Sequence, residues 1–190
     1  MSTKFEPTSF EYLELPFLRF IGIDAWRTKE DWGALWQRKQ EFLPQLEQLS
    51  DYISLEMPYL CGFQHSANGT VNVEDHLVIG HFFRKDMPVP DGYDFMDFAS
   101  QTVGYAVFDN VTLEHISRMQ LYSITRDKIL GDGKIVPYPE GYWHCEVYFK
   151  QAPLFDDDIP PFSCGYLFPA WNKNHPNYIN SEAHREDLNI

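Results

Sequence analysis

The chain has 190 residues and a formal net charge of −13, with 44% of its residues hydrophobic and 16% aromatic. This length and composition predict one domain with a packed core. The acidic charge argues against nucleic acid or an anionic membrane surface as partner, because both attract Lys and Arg.

The first residues contain no apolar segment typical of a signal peptide, and no run approaches the length of a membrane span. Cys61, Cys145 and Cys164 show no paired spacing, which is typical of buried thiols in a reducing compartment. We therefore expect a cytoplasmic protein.

The first predicted elements are a strand and a helix. Residues 10–26 alternate loosely between apolar and polar types, which predicts an edge strand broken at Pro16. Thr28 followed by Asp31 marks a helix start, and Trp and Leu residues then recur at helical spacing. Pro44 is expected to kink or divide this helix.

Two short strands complete the first half of the chain. They lie at about 59–65 and 76–84, with a turn signal at 67–70 between them. This arrangement predicts a hairpin. A connector rich in Pro and Gly follows at 85–94 and marks the midpoint of the chain.

The second half repeats the order of the first. The predicted elements are strands at 95–98 and 101–109, a helix from Asn110 or Thr112 to the glycines at 131–133, and strands at 142–149 and 162–169. A polar tail is expected at about 172–190. The pseudo-repeats, at about 10–84 and 95–170, predict an α+β fold in a single domain over residues 1–190. Two strand-helix-strand-strand units would form a curved antiparallel sheet with helices packed on one side.

The strand at 141–149 carries the residue most informative about function. Nearly all its positions favour a buried strand, but Glu146 does not. Alternation places Tyr142, His144, Glu146 and Tyr148 on one face. A carboxylate buried there would need a proton, hydrogen bonds or a cation, and that cation can be a ligand. The alternative is a half-exposed edge strand with Glu146 in water. His144 could orient the carboxyl or share a proton with it, or it could be a structural, hydrogen-bonded histidine, which is the interpretation that we favour.

Four stretches of the chain resemble the GyrI-like family, the effector-binding domain of certain MerR- and AraC-type regulators that also occurs as a stand-alone small-molecule-binding protein. They are the opening strand at 11–22 with its Trp-containing helix, the hairpin sequences at 59–63 and 75–80, the Pro-rich approach at 87–93 leading to Gln-Thr-Val-Gly-Tyr-Ala-Val-Phe at 101–108, and Gly-Tyr-Trp-His-Cys-Glu-Val-Tyr at 141–148. The resemblance spans about residues 10–170. No helix-turn-helix or basic region is left over, so a DNA-binding regulator is not expected.

The resemblance implies that Glu146 lies in an aromatic-walled groove between the halves and that Tyr105 points into the same space. Such a site selects flat, apolar ligands that are either cationic or able to donate hydrogen bonds. The candidate wall residues, of which we expect only some to touch ligand, are Trp26, Trp36, Phe63, Tyr142 and Trp171.

Three functions are compatible with these features. The first is the binding of hydrophobic, often cationic small molecules in multidrug sensing or xenobiotic sequestration in a bacterial cell. The second, implied by stand-alone members of the family, is hydrolysis of cyclopropane-containing toxic natural products, with Glu146 as general base and Tyr105 holding the substrate. The third is a module that contacts a protein partner.

Other kinds of site find no support in the sequence. His65, His76, His81 and Cys61 lack the spacing of a metal site, and we expect neither a metal nor a cofactor. No nucleophile elbow or phosphate-binding loop is present. The acidic run at 156–158 is typical of a solvated loop.

Overall fold

The structure, a computed structural model, describes residues 5–49, 59–64, 76–118, 120–137, 143–148 and 161–176. The strands in these ranges are β1 (Ser9–Leu15), β2 (Leu18–Asp24), β3 (Tyr59–Gln64), β4 (His76–Arg84), β5 (Asp94–Phe98), β6 (Gln101–Val111), β7 (Trp143–Tyr148) and β8 (Phe162–Pro169). The helices are α1 (Ala25–Thr28), α2 (Trp32–Gln37), α3 (Leu43–Glu47), α4 (Leu113–Ser117) and α5 (Gln120–Gly131).

Local sequence signals account for several of these boundaries. Asp31 begins α2 by accepting hydrogen bonds from the backbone N–H groups of Gly33 and Ala34. Pro44 lies in the first turn of α3, where its missing N–H costs nothing, so the predicted helix is divided there. The expected second helix is likewise two helices, α4 after Thr112 and α5 up to Gly131.

All eight strands join one antiparallel sheet in the order β1-β6-β8-β7-β3-β4-β2-β5. The predicted hairpin is present as β3 paired with β4. The centre of the order is a pseudo-twofold arrangement, with β3-β4-β2 on one side and β7-β8-β6 on the other. The α+β fold with a curved antiparallel sheet is therefore confirmed, and residues 177–190 of the predicted tail lie outside the described ranges.

The outer strands are exchanged between the halves. β1 precedes β2 in the chain but pairs with β6, and β5 precedes β6 but pairs with β2. Leu15 pairs with Gln101 and Leu18 with Phe98, so two long bent strands run past each other. The predicted break at Pro16 is therefore the bend of one of them. Of the two strands joined at this bend, β1 lies at an edge of the sheet, whereas β2 lies between β4 and β5.

The sheet curls strongly. β1 and β2 hold the first and seventh positions, which in a flat sheet would lie about 29 Å apart. The two residues between them reach only about 10 Å. The inner face confirms the curl, because the rings of Phe98 on β5 and Trp143 on β7 have centroids 5.1 Å apart although the strands are four positions apart.

The two faces of the sheet form two cores. The inner core contains Phe20, Phe82, Phe98, Tyr105, Trp143 and Leu167. The outer face carries the helices. In this layer α3 packs against β2 and β4, and α5 packs against β6 and β8. None of the described helices is long and apolar enough to span a membrane.

Gly22 and Gly80 permit a close approach of the backbones of β2 and β4. They pair across β2 and β4, and a Cβ on Gly80 would lie 2.0 Å from the carbonyl oxygen of Ile21. A side chain at either glycine would therefore force the two strands apart.

Candidate functional site

The site is built around β7, where alternation places successive side chains on opposite faces of the sheet. Trp143, Cys145 and Val147 belong to the inner core. Glu146 therefore faces outward, together with the predicted neighbours His144 and Tyr148. Tyr148 packs in the core between the outer face of the sheet and the helices, in agreement with this placement.

Both oxygens of the Glu146 carboxyl accept a hydrogen bond from a tyrosine. Tyr148, two residues along the same strand, donates its phenol proton to Oε2. Tyr166, the direct partner of Glu146 in the β7–β8 ladder, donates to Oε1. The strand period and the register together therefore give the carboxyl a donor on each side.

The environment of Glu146 disfavours its charged form. Burial raises the pKa of the carboxyl above its usual value, and the two phenol hydrogen bonds oppose that effect only in part. The residue is nevertheless only half-buried, whereas both tyrosines that hold it are buried. Glu146 is thus surrounded by protein atoms but still contacts solvent, as expected for a side chain at the bottom of a recess.

One wall of the recess belongs to the second half of the chain. The imidazole of His144 stacks on the rings of Phe168 and Tyr166, with centroid distances of 5.5 and 6.4 Å. Tyr122 of α5 meets His144 edge-on at 5.3 Å. His144 is thus packed among aromatic rings beside the carboxyl.

The opposite wall belongs to the first half. The indole of Trp36, on α2, meets the ring of Tyr148 edge-on with a centroid distance of 4.9 Å. Lys39 lies above this indole, with Nζ 4.8 Å from the ring centroid, and donates to the carbonyl oxygen of Trp36. Burial lowers the pKa of the Lys39 amine.

The helices leave the strand of Glu146 between them. α3 packs on β2 and β4, and α5 packs on β6 and β8, whereas β7 and β3 occupy the middle of the sheet. Among the residues that the structure describes, Glu146 therefore lies on the floor of this recess, between helices from the two halves. A carboxyl among aromatic rings can attract a cation, or it can exchange a proton.

Tyr105 does not share this space. It pairs with Leu167, which pairs with Cys145, and all three belong to the inner core. Its ring lies across Gly165, where a Cβ would come within 2.6 Å of it. Burial raises the pKa of the Tyr105 phenol. The resemblance implies that Tyr105 and Glu146 share one space. The structure corrects this, because Tyr105, like Val103 on the same strand, faces the inner side of the curl.

The other candidate wall residues are placed as follows. Trp36 lies in the recess, but Trp171 lies beyond the end of β8, where it pairs with Ile135 and stacks on His175. Trp171 therefore packs in a separate small cluster. Phe63 pairs with His144 in the β3–β7 ladder. Its side chain, the side chain of Trp26 and the whole of Tyr142 lie outside what the structure describes.

Three recess residues, Tyr166, Phe168 and Tyr122, were missed by sequence reasoning. Tyr166 and Phe168 lie in the last predicted strand, at alternate positions that signal a common face. The missing information was that β8 pairs with β7, since a strand's neighbour cannot be read from its own composition.

Metal binding finds no support at the described residues. Within the described ranges, no group of three or more His, Cys, Asp or Glu side chains is arranged to hold a metal ion. The buried His81 lies 4.0 Å from Glu47, measured from Nε2 to Oε1.

No protein-family model and no curated protein matches the sequence. Solved structures do match the fold. A protein from Staphylococcus aureus MU50, described as a candidate bacterial transcription regulation protein, has a TM-score of 0.55 at 15% identity over 86% of this chain and 99% of that one. SAV2435, solved bound to tetraphenylphosphonium, has a TM-score of 0.58 at 12% identity over 90% of this chain and 99% of its own. At these identities the similarity shows a shared fold.

Proposed function

We propose that this protein binds small hydrophobic cations in the recess above β7, with Glu146 as the anionic anchor. The observation that carries the proposal is a half-buried carboxyl whose two oxygens are held by Tyr148 and Tyr166 among aromatic rings. Ligand recognition would combine the charge of the carboxylate with contacts to Trp36, Tyr122 and the other rings.

The charge balance of the site supports a cationic ligand. Within the described part of the chain, no basic side chain forms an ion pair with Glu146, and burial raises the pKa of its carboxyl. A cation that enters the recess supplies the missing counter-charge, and its attraction to the aromatic faces adds to the binding free energy.

The fold neighbours suggest which ligand to test first. SAV2435 has a similar fold and was solved with tetraphenylphosphonium, a bulky aromatic cation. The resemblance to the GyrI-like family, which supplies stand-alone binding proteins, points in the same direction. Sensing or sequestration of such compounds in the bacterial cytoplasm would follow from this binding.

Replacement of Glu146 by Gln tests the anchor role. We expect Glu146→Gln to weaken tetraphenylphosphonium binding about 10- to 100-fold, because the side chain keeps its shape but loses its charge. Isothermal titration calorimetry at pH 8 measures the change. Glu11→Gln is the matched control, since it removes an exposed carboxylate on β1, and it should bind as the parent does. Equal affinity of Glu146→Gln and the parent would refute the anchor role.

Hydrolysis is the second candidate, and the raised pKa of Glu146 is the observation that favours it. A carboxyl with a raised pKa can take a proton from water as general base. Tyr105 lies on the other face, so Tyr148 and Tyr166 would replace it as the groups nearest the base. The reaction implied by the resemblance is the opening of a strained cyclopropane ring by water.

Turnover distinguishes the two candidates. Incubation of the protein with a cyclopropane-containing natural product should yield the water adduct, detected by mass spectrometry, and Glu146→Gln should yield none. Saturable binding without formation of the water adduct would exclude hydrolysis of that compound and support binding as the function.

A further inference from the structure

We propose that Tyr148 and Tyr166 are specificity-determining residues, which make the recess prefer cations without N–H donors over protonated amines of the same shape. This inference rests on the proposed function. It concerns which cations the same site accepts. Its basis is that the two tyrosines already occupy hydrogen-bond acceptor positions on the carboxyl of Glu146.

Protein donors already use part of the acceptor capacity of Glu146. An ionised carboxyl offers about four lone-pair positions, two on each oxygen. The phenol of Tyr148 occupies one on Oε2 and that of Tyr166 occupies one on Oε1. A ligand therefore meets a full negative charge but only part of its hydrogen-bonding capacity.

Aromatic packing holds the two phenols in place. Tyr166 is buried and stacks near Phe168 and His144. Tyr148 is buried between Trp36 and Phe162, with ring centroids at 4.9 and 6.4 Å. Swinging either phenol aside would disturb this aromatic packing, so an incoming N–H group cannot readily take its place.

As far as the structure describes them, the walls around the carboxyl contain few groups that could accept a hydrogen bond from a ligand. The side chains described around the carboxyl are chiefly aromatic rings, from Trp36 on one side and from Tyr122, His144 and Phe168 on the other. Ring faces attract positive charge, but they are poor substitutes for the water that hydrates an ammonium group.

The partly occupied carboxyl and its aromatic walls predict different affinities for two kinds of cation. A primary ammonium has three N–H donors, and those left without an acceptor on entering the recess weaken its binding. A quaternary ammonium or phosphonium has none and interacts only through its charge and apolar surface. Removing one phenol frees an acceptor position on Glu146, which benefits only the N–H cation.

The test compares two ligands that differ in their donors. Biphenylmethyl-trimethylammonium and biphenylmethylammonium are titrated by calorimetry at pH 8 against the parent, Tyr148→Phe, Tyr166→Phe and Tyr12→Phe. The readout is the ratio of the two dissociation constants, because the apolar contribution of the three methyl groups cancels when ratios are compared between proteins. Tyr12→Phe is the matched control, since Tyr12 donates to Asp132 at an exposed site, 2.8 Å away.

We expect the ratio to move about tenfold toward the primary amine in Tyr148→Phe or Tyr166→Phe and to stay constant in Tyr12→Phe. An unchanged ratio in both recess variants, while the parent binds the quaternary cation, overturns this inference and leaves the proposed function intact. If neither of the two cations binds to the parent, this inference and the proposed function are both overturned. If one variant does not fold, as judged by its near-ultraviolet circular dichroism, the other decides the question.

Discussion

Glu146 combines a buried environment with access to solvent, and this combination has a consequence for pH. Burial raises the pKa of its carboxyl, and a cation binds the ionised form. Affinity for tetraphenylphosphonium should therefore be highest above that pKa and fall as the pH drops through it. The ligand has no titratable group, so the change belongs to the protein.

Calorimetry across pH 4 to 9 measures this dependence, and each bound cation should displace protons below the plateau. Glu146→Gln should show little dependence over the same range. Any slope that Glu146→Gln keeps would belong to a group other than Glu146. A flat profile in the parent would contradict the proposed titration.

At the scale of single residues, the sequence predicts the site in part. Strand alternation correctly groups His144, Glu146 and Tyr148, because side-chain direction is a local property of a strand. Tyr105 and Tyr166 show the limit of this reasoning. Their faces relative to Glu146 depend on the register of β6, β8 and β7, which pair over long separations in sequence. Tyr166, and not Tyr105, is consequently the second phenol at the carboxyl.

At the scale of elements, α2 links stability to the site. Asp31 caps this helix through Gly33 and Ala34, at 2.9 and 3.3 Å, and the helix carries Trp36 to the recess. Asp31→Ala should lower the free energy of unfolding by about 1 kcal/mol and weaken tetraphenylphosphonium binding a few-fold. Urea denaturation and calorimetry measure the two effects. Asp91→Ala, at an exposed position of the connector, should change neither, and equal behaviour of the two variants would refute the cap's role.

The close approach of β2 and β4 at Gly22 and Gly80 permits a test of how tightly the sheet is packed. In Gly80→Ala the new Cβ would meet the backbone of Ile21 at 2.0 Å, and backbone cannot move aside as a side chain can. We expect a loss of about 3 kcal/mol in the free energy of unfolding. In Gly131→Ala, where nothing lies within 4 Å, stability should stay the same or rise by about 0.5 kcal/mol. Similar stabilities of the two variants would show that the strands can separate at little cost.

At the scale of the whole molecule, the exchanged strands make each half depend on the other. β1 needs β6 as its neighbour, and β5 needs β2. Fragments 1–90 and 91–190 should therefore each lack a cooperative unfolding transition alone. When mixed they should recover the near-ultraviolet circular dichroism of the intact chain. A cooperative transition in the isolated first fragment would contradict this interdependence.

The sequence predicts the repeat and the curved antiparallel sheet because turn signals and hydrophobic periods are local. It does not predict the exchange of β1 and β5. The break at Pro16 is visible in the sequence, but it says only that the chain bends there. The pairing of β1 with β6 joins residues far apart in the sequence, such as Leu15 and Gln101, so no local pattern encodes it.

The halves meet along the β3–β7 ladder, and near its middle Cys61 pairs with Glu146. In a symmetric dimer of two identical half-length chains, the same residue would occupy both of these paired positions. If that residue were Glu, two carboxyl groups would face each other. Like charges that close would leave one of them protonated. Joining two diverged halves in one polypeptide gives the junction a single acid, so we expect a stoichiometry of one monovalent cation per chain.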